Sequence, residues 1–450
     1  MTPRPPGRPG AALATAVVVV LLAAGVALAA PALDQGFGTD GVVQTPLPPA
    51  EQERLETGYQ LPSIDDLAIG ADGKIVAALG SASEFPYFGA ARYRLDGSLD
   101  RSFGRRGIAR LEAAHPRIAG EVQLEAVALQ RNGEIVLAGY RKSRNDHTAP
   151  LLLRLHSDGA PDPRFGKAGL VAPRLRGRGA TVLHDVAVLP GGRIVGVGGR
   201  NEYRTGKRAA VVIAYRPDGR IDRRFGHRGS LSFQSFKGGY SGLRSILVLP
   251  GGELLAAGYR DNRFFVVKLR PDGRLDRGFG GDGKVSVDIG NRGCCPLRAD
   301  LALTPGGGSV AFAERSEGGV KLVRLSRTGK RVRSFGHRGL VFDRNAARFL
   351  EPGALAVQPD GRIVLVGATI RPRPADGQEQ LVFTVMRYGA DGHADRSFGK
   401  AGRSFHSLGY ESVGTAALAL PDGGVLLGGA AQLDRRRGYE YRLVLARARP

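Results

Sequence analysis

Residues 99–107 read LDRSFGRRG, and residues 127–140 read VALQRNGEIVLAGY. Both phrases recur along the chain. Phe-Gly stands at Phe37, Phe103, Phe165, Phe225, Phe279, Phe335 and Phe398, at intervals of 54 to 66 residues. Four residues after each Phe comes a glycine: Gly41, Gly107, Gly169, Gly229, Gly283, Gly339 and Gly402. Three before it comes Asp34, Asp100, Asp162, Asp222, Asp276 or Asp395, and Val332 is the exception. The second phrase is an apolar stretch, a glycine turn and another apolar stretch ending in small residues. It returns as LAVQPDGRIVLVGA (355–368) and LALPDGGVLLGGA (418–430), with turn glycines Gly73, Gly133, Gly192, Gly252, Gly307, Gly361 and Gly423. Repetition at such a period decides the architecture before any local reading does.

Each repeat reads as four short strands. Strand a precedes the Pro-Asp-Gly-type turn and strand b follows it. Strand c, such as RFFVVKLR (263–270), ends at Asp-Gly, and strand d follows Phe-Gly-x-x-Gly, as in GLVFD (339–343). The Asp-Gly pairs supply the positive φ that tight hairpins need. Four antiparallel strands in about 60 residues make a propeller blade. LDQGFGTDGVVQT (33–45) holds only strand d, whereas the last repeat, ending RLVLARARP (442–450), holds only a, b and c. The predicted fold is therefore all-β: a seven-bladed β-propeller of four-stranded antiparallel blades, closed by the N-terminal strand completing the last blade. Such a join leaves no free edge.

The element L-D-x-x-F-G-x-x-G, paired with P-D-G-x-I-V-x-x-G, resembles the bacterial delta-60 repeat family across residues 31–450. The resemblance implies an exported or surface protein and no catalytic residue. Val332 and AFAE (311–314) depart from the pattern. Ahead of the repeats, Arg4 and Arg8 precede an apolar run from Ala11 to Ala30, and Ala27-Leu28-Ala29 fits a small-x-small cleavage site. The expected division is a signal peptide at 1–29 and the propeller at 30–450. The product would be secreted, periplasmic or at the cell surface. An uncleaved anchor is the alternative, because the run approaches the roughly 20 residues that span a bilayer. No other stretch is long and apolar enough, so no span is expected in the mature chain, and a monomer is expected.

The 450 residues include 67 glycines and carry a net charge of +23. Such charge favours anionic partners, although the arginines are spread along the chain. The two cysteines are adjacent, Cys294 and Cys295. They are too few for a disulfide framework or a zinc site, leaving a vicinal disulfide or two thiols.

A residue present in every blade is structural first. The repeated Phe reads as a plug between neighbouring blades. A basic residue five positions before the Asp-Gly glycine recurs as Arg92, Arg154, Lys268, Arg324, Arg387 and, in the last blade, Arg447, with Ala214 breaking the series. It is placed to pair with the repeated Asp. Ala214 and Val332 fall in different blades, however, which argues against strict pairing. The Asp would otherwise accept N–H groups within its own turn.

Function is expected where the repeats differ. Long segments fall between d and a or between b and c, and these loops emerge on one face, which repeat arrays often use for binding. Candidate contacts there are Arg144, Asp146, His147, Arg200, Glu202, Tyr203, Arg435 and Tyr439. The same face opens onto the central channel at the start of strand a. Seven positions before the turn glycines lie Asp66, Ala126, Asp185, Ser245, Asp300, Ala354 and Ala416. One earlier lie Asp65, Glu125, His184, Arg244, Ala299, Gly353 and Thr415. Asp66, Glu125, Asp185 and Asp300 are candidate ligands for Ca²⁺, which takes oxygen at about 2.4 Å. The alternative is solvated charge, or Asp bound to nearby backbone. Nucleophile-elbow, zincin and P-loop signatures are missing, as are nucleic-acid recognition modules. The expectation is an exported binding or interaction propeller for a protein or glycan, using the loop-rich face. A metal-assisted hydrolase, lactonase or lyase at the channel mouth is one alternative, and a basic surface protein holding polyanions is another.

Overall fold

The computed structural model describes residues 32–47, 62–80, 89–110, 121–143, 147–173, 179–235, 239–261, 263–288, 298–314, 319–343, 349–374, 376–435 and 438–450. These residues form seven four-stranded antiparallel sheets. No helix among them is long and apolar enough to cross a membrane. The proposed leader and the pair Cys294 and Cys295 lie outside the described residues.

In sequence order, blade 1 holds Ser63–Ile69, Ile75–Gly80, Gly89–Tyr93 and Ile108–Arg110. Blade 2 begins at Glu121, blade 3 at Gly179, blade 4 at Ser241, blade 5 at Ala299 and blade 6 at Phe349. Blade 7 comprises Glu411–Ala419, Val425–Arg435 and Gly438–Ala448, with Val42–Pro46 as its outer strand. Val42 lies opposite Ala446 and Pro46 opposite Arg442, so the N-terminal strand closes the ring as its sequence requires. The a strands of successive blades touch one another all the way round and line the axis.

Strands b and c are apolar along nearly their whole length because each blade is covered on both faces. Ile75–Gly80 is buried at every position. The hydrophobic clusters accordingly lie between blades. Val76, Ala78 and Phe103 of blade 1 pack with Val122, Leu124 and Leu137 of blade 2, and comparable clusters fill the other blade gaps. All seven repeated Phe side chains are buried, and each such ring contributes about 1.5–3 kcal/mol.

The plug meets a glycine in the next blade. At Gly159, φ is +90°, and an added Cβ would stand 3.0 Å from Phe103 Cε2 and 2.9 Å from the Gly104 nitrogen. Gly104 itself donates its N–H to the Asp158 carbonyl, at 2.7 Å. Glycine is required there by conformation and by close approach together.

The repeated cation and aspartate do pair. Arg154 Nε donates to Asp162 Oδ2 at 2.7 Å, while its Nη1 donates to the Pro217 carbonyl of blade 3 at 2.6 Å. The guanidinium also lies 4.6 Å from the Phe165 ring centroid. Blades 1 and 6 repeat the arrangement with Arg92–Asp100 and Arg387–Asp395. In blade 3, where Ala214 stands, Arg193 from the a–b turn reaches Asp222 at 2.7 Å and the Pro271 carbonyl at 2.7 Å. In blade 5, where Val332 stands, Arg324 keeps its bond to the Ala390 carbonyl and its place over Phe335. The pairing is thus stricter than the sequence series suggests, because in blade 3 a cation from the a–b turn fills the gap. The aspartates also accept N–H groups in their own turns, as Asp162 does from Arg164 at 2.9 Å.

Candidate functional site

In a regular strand, neighbouring side chains point to opposite faces. The two rows at the start of strand a escape this rule. The register between strands a and b slips at Ile64/Asp66, Leu124/Ala126, Leu183/Asp185, Leu243/Ser245, Pro352/Ala354 and Gly414/Ala416. The residues left over are Asp65, Glu125, His184, Arg244, Gly353 and Thr415. A bulge re-aims the side chain it carries, and here both rows come to line the channel except for Ala126, which is buried between blades 2 and 3. Blade 5 pairs regularly from Ala299 onward, and Arg298, just ahead of its strand, joins the lining. The resulting cavity measures about 940 Å³.

Asp66, Asp185 and Asp300 stand on alternate blades and act alike. Asp66 accepts the N–H of Leu67 and that of Val127 in blade 2, both at 2.8 Å. Asp185 accepts Val186 and, from blade 4, Ile246, both at 2.6 Å. Asp300 accepts Leu301 at 2.7 Å and, from blade 6, Leu355 at 2.9 Å. The innermost strand has no neighbour on its channel side, so its amides need such acceptors. Both oxygens of each carboxylate are therefore already engaged with backbone.

These carboxylates are half-buried in the channel wall. Burial raises Asp66 to about 7 against its two amide donors, with the charges of Asp300 and Asp65 adding to the rise. Burial, then the Asp66 charge, pushes Asp185 well above the carboxylate range. Burial raises Asp300 as well. Asp65 is lifted to about 6 by burial, opposed by the Ser63 hydroxyl and by Arg298.

Glu125, His184 and Arg244 form a chain across blades 2, 3 and 4. Glu125 Oε2 lies 2.6 Å from His184 Nδ1, and Arg244 Nη1 lies 3.1 Å from the same nitrogen. Burial alone would raise Glu125, but His184, Arg244 and Arg298 outweigh it and hold the carboxyl low. The Glu125 carboxylate, an acceptor, and the Arg244 guanidinium, a donor, thus compete for the same nitrogen. Burial first, and Arg244 second, lower His184 despite the carboxylate beside it. Nε2, on the other side of the ring, has no protein partner among the described residues.

Blades 6 and 7 complete the mouth differently. Gly353, Ala354, Thr415 and Ala416 give an uncharged arc there, with Glu411 also lining the cavity. Glu411 is thus the one charged lining residue that blades 6 and 7 contribute among the described residues.

The loop candidates are distributed over separate hairpins. His147 is exposed, and its carbonyl closes the b–c turn of blade 2 by accepting the Ser143 N–H at 2.9 Å. Arg200 and Glu202 lie on strand b of blade 3, Glu202 accepts the Thr205 hydroxyl at 2.8 Å, and Tyr203 is exposed beyond them. Arg144 and Asp146 lie outside the described residues. Arg435 and Tyr439 flank the b–c turn of blade 7, and their side chains are outside the description. Sequence reasoning missed Arg298, Ser63 and Glu411 because they fall outside the two counted rows. No spacing signal marks them.

The family model described as "Domain of unknown function (DUF5122) beta-propeller" matches residues 70–103, 130–165, 250–279 and 358–398. A search of curated proteins returns no match. Among solved structures, a protein of unknown function from Dyadobacter fermentans is 12% identical, with a TM-score of 0.45, over 91% of this chain and 100% of that one. An α-L-arabinofuranosidase from Fusarium graminearum is 13% identical, with a TM-score of 0.44, over 77% and 97%. A sialidase from Streptococcus pneumoniae is 11% identical, with a TM-score of 0.36, over 87% and 68%. At such distances these likenesses carry no argument about activity. The chain is a repeat-built β-propeller, similar over parts of four repeats to a family model that names no function.

Proposed function

We propose that the chain is an exported binding propeller that receives a polyhydroxylated ligand, such as the end of a glycan, on its loop-rich face at the channel mouth. The row of bulges carries this reading. A bulge interrupts the ladder, and here it does so at the same place in six blades. Each bulge frees a residue into one cavity, and those of blades 1 to 4 are charged or imidazole side chains. Carboxylate acceptors (Asp65, Glu125) and guanidinium donors (Arg244, Arg298) stand in one arc, which matches adjacent hydroxyls that both donate and accept. The small side chains of Ala354 and Ala416, with Gly353, suit the C–H face of a sugar. The test is calorimetric titration with an oligosaccharide panel. Binding that weakens at least tenfold in Arg244→Ala, with the melting temperature held within 2 °C, supports the reading. Absence of saccharide binding, or binding that Arg244→Ala leaves intact, refutes it.

The His184–Glu125 pair favours a second, hydrolytic reading. Where Glu125 fixes a hydrogen on Nδ1, Nε2 is left as a base able to take a proton from water or a hydroxyl. Ester or lactone hydrolysis that is lost in His184→Asn, while saccharide binding persists, would support it.

A further inference from the structure

The a–b and c–d turns emerge on the face opposite the channel mouth, and their charge is uneven. Segments 216–229, 270–283 and 326–339 of blades 3 to 5 contain thirteen arginines and lysines against five aspartates. The matching segments of blades 1, 2 and 6 (94–107, 156–169 and 389–402) contain eight against six. Blade 5 is the extreme. Val332 has replaced the repeated aspartate, and segment 326–339 has five cations and no acid. Lys330, Arg331, Arg333 and Arg338 are exposed there, and among the described residues none of them is paired.

A groove of about 1,280 Å³ opens on the same face between blades 3 and 4. Its wall includes Arg220, Arg223, Arg224, Pro190, Pro250 and Pro271. Arg223 and Arg224 are exposed and form no side-chain ion pair among the described residues, although the Arg224 charge is felt at Asp222, and Arg220 stands 4.0 Å from Asp218. The groove and the blade 5 turn flank the turn of blade 4, whose segment 270–283 carries three cations against three aspartates.

We infer that this sector is a second binding surface, for an acidic polysaccharide strand that lies in the groove and continues over the turn of blade 5. Guanidinium groups suit its sulfate or carboxylate groups, which they grip in bidentate fashion. The other polyanions fit less well. A bilayer surface calls for apolar residues beside the cations, and the exposed large hydrophobics among the described residues (Leu95, Tyr203, Tyr240 and Phe342) lie outside these turns. Single-stranded nucleic acid calls for exposed aromatic platforms, which these turns lack for the same reason.

The test uses the whole chain and a fluorescent heparin dodecasaccharide in 50 mM salt. The other arms are phosphatidylcholine–phosphatidylglycerol vesicles (7:3) and a 20-nucleotide single-stranded DNA. The triple change Lys330→Glu, Arg331→Glu and Arg333→Glu is expected to raise the heparin Kd at least tenfold, as is Arg220→Glu, Arg223→Glu and Arg224→Glu. Arg94→Glu, Arg101→Glu and Arg105→Glu alter net charge equally in blade 1, and should raise it less than threefold. Melting curves verify folding, and Gln versions replace any triple that melts early. The inference fails if the blade 1 triple matches the other two, if the heparin fragment does not bind, or if vesicles or DNA bind more tightly.

Discussion

Replacing Arg154 by alanine isolates the bond set that ties neighbouring blades. Arg154 is 7% exposed and its partner Asp162 is 1% exposed. The change deletes the ion pair at 2.6 Å, the bond to the Pro217 carbonyl and the contact with Phe165. Breaking a buried pair by removing one partner costs about 3–5 kcal/mol. Asp162 keeps the N–H of Arg164 and has His156 nearby, at 3.7 Å, so the lower figure of about 3 kcal/mol applies. An unfolding entropy of roughly 2.1 cal/mol/K per residue gives about 0.9 kcal/mol/K for a ring of some 420 residues. The melting temperature should therefore fall by about 3 °C if the ring unfolds as one unit. Scanning calorimetry measures this, and the cycle with Asp162→Ala reads the coupling directly. A fall below 1 °C, or one equal to that of the exposed Arg94→Ala, would refute the role given to the buried arginine.

Three further expectations follow from the same geometry. Lys268 pairs with Asp276 at 2.8 Å but lacks the fork that reaches the next blade, so Lys268→Arg should stabilise by about 1 kcal/mol, read by urea unfolding. Gly159→Ala places a Cβ against Phe103 and the Gly104 nitrogen at φ +90°, and should cost roughly 2 kcal/mol; a neutral result would remove the close-approach argument. The turn aspartates Asp100, Asp162, Asp222, Asp276 and Asp395 are held below the usual carboxylate range, so their contribution is present above about pH 4 and lost below it. Asp65 and Asp66, raised to about 6 and about 7, act the other way: their contribution is full below about pH 4 and lost as pH rises through 6 to 7. A melting-temperature maximum near pH 5 is expected, with the alkaline limb flattened in Asp65→Asn; a profile rising steadily to pH 8 would contradict it.

The fold was legible because its determinants are local and repeated. Phe-Gly-x-x-Gly and the Asp-Gly turns are short-range signals, and repetition makes each copy a control for the others. The mouth residues were also legible as positions, since counting back from a turn glycine fixes depth along strand a. Their arrangement was not. Alternation would send Asp65 and Asp66 to opposite sides, and only the register slip brings both into the channel. The rescue of Asp222 by Arg193 was hidden for a related reason, since the cation comes from a different turn. The carboxylates invited a metal reading, yet the amide bonds at Asp66, Asp185 and Asp300 depend on the neighbouring blade, which no single repeat displays.

The clasp between Val42–Pro46 and Gly438–Ala448 has a kinetic consequence. Its two halves are separated by almost the whole chain, so it is a contact of very high sequence separation, and such contacts form late. During synthesis Val42–Pro46 waits for Gly438–Ala448. Until then blade 7 presents strand c as an open edge, the kind of template on which chains join to one another. Conditions that slow closure therefore favour exchange, in which the N-terminal strand of one molecule completes the ring of another.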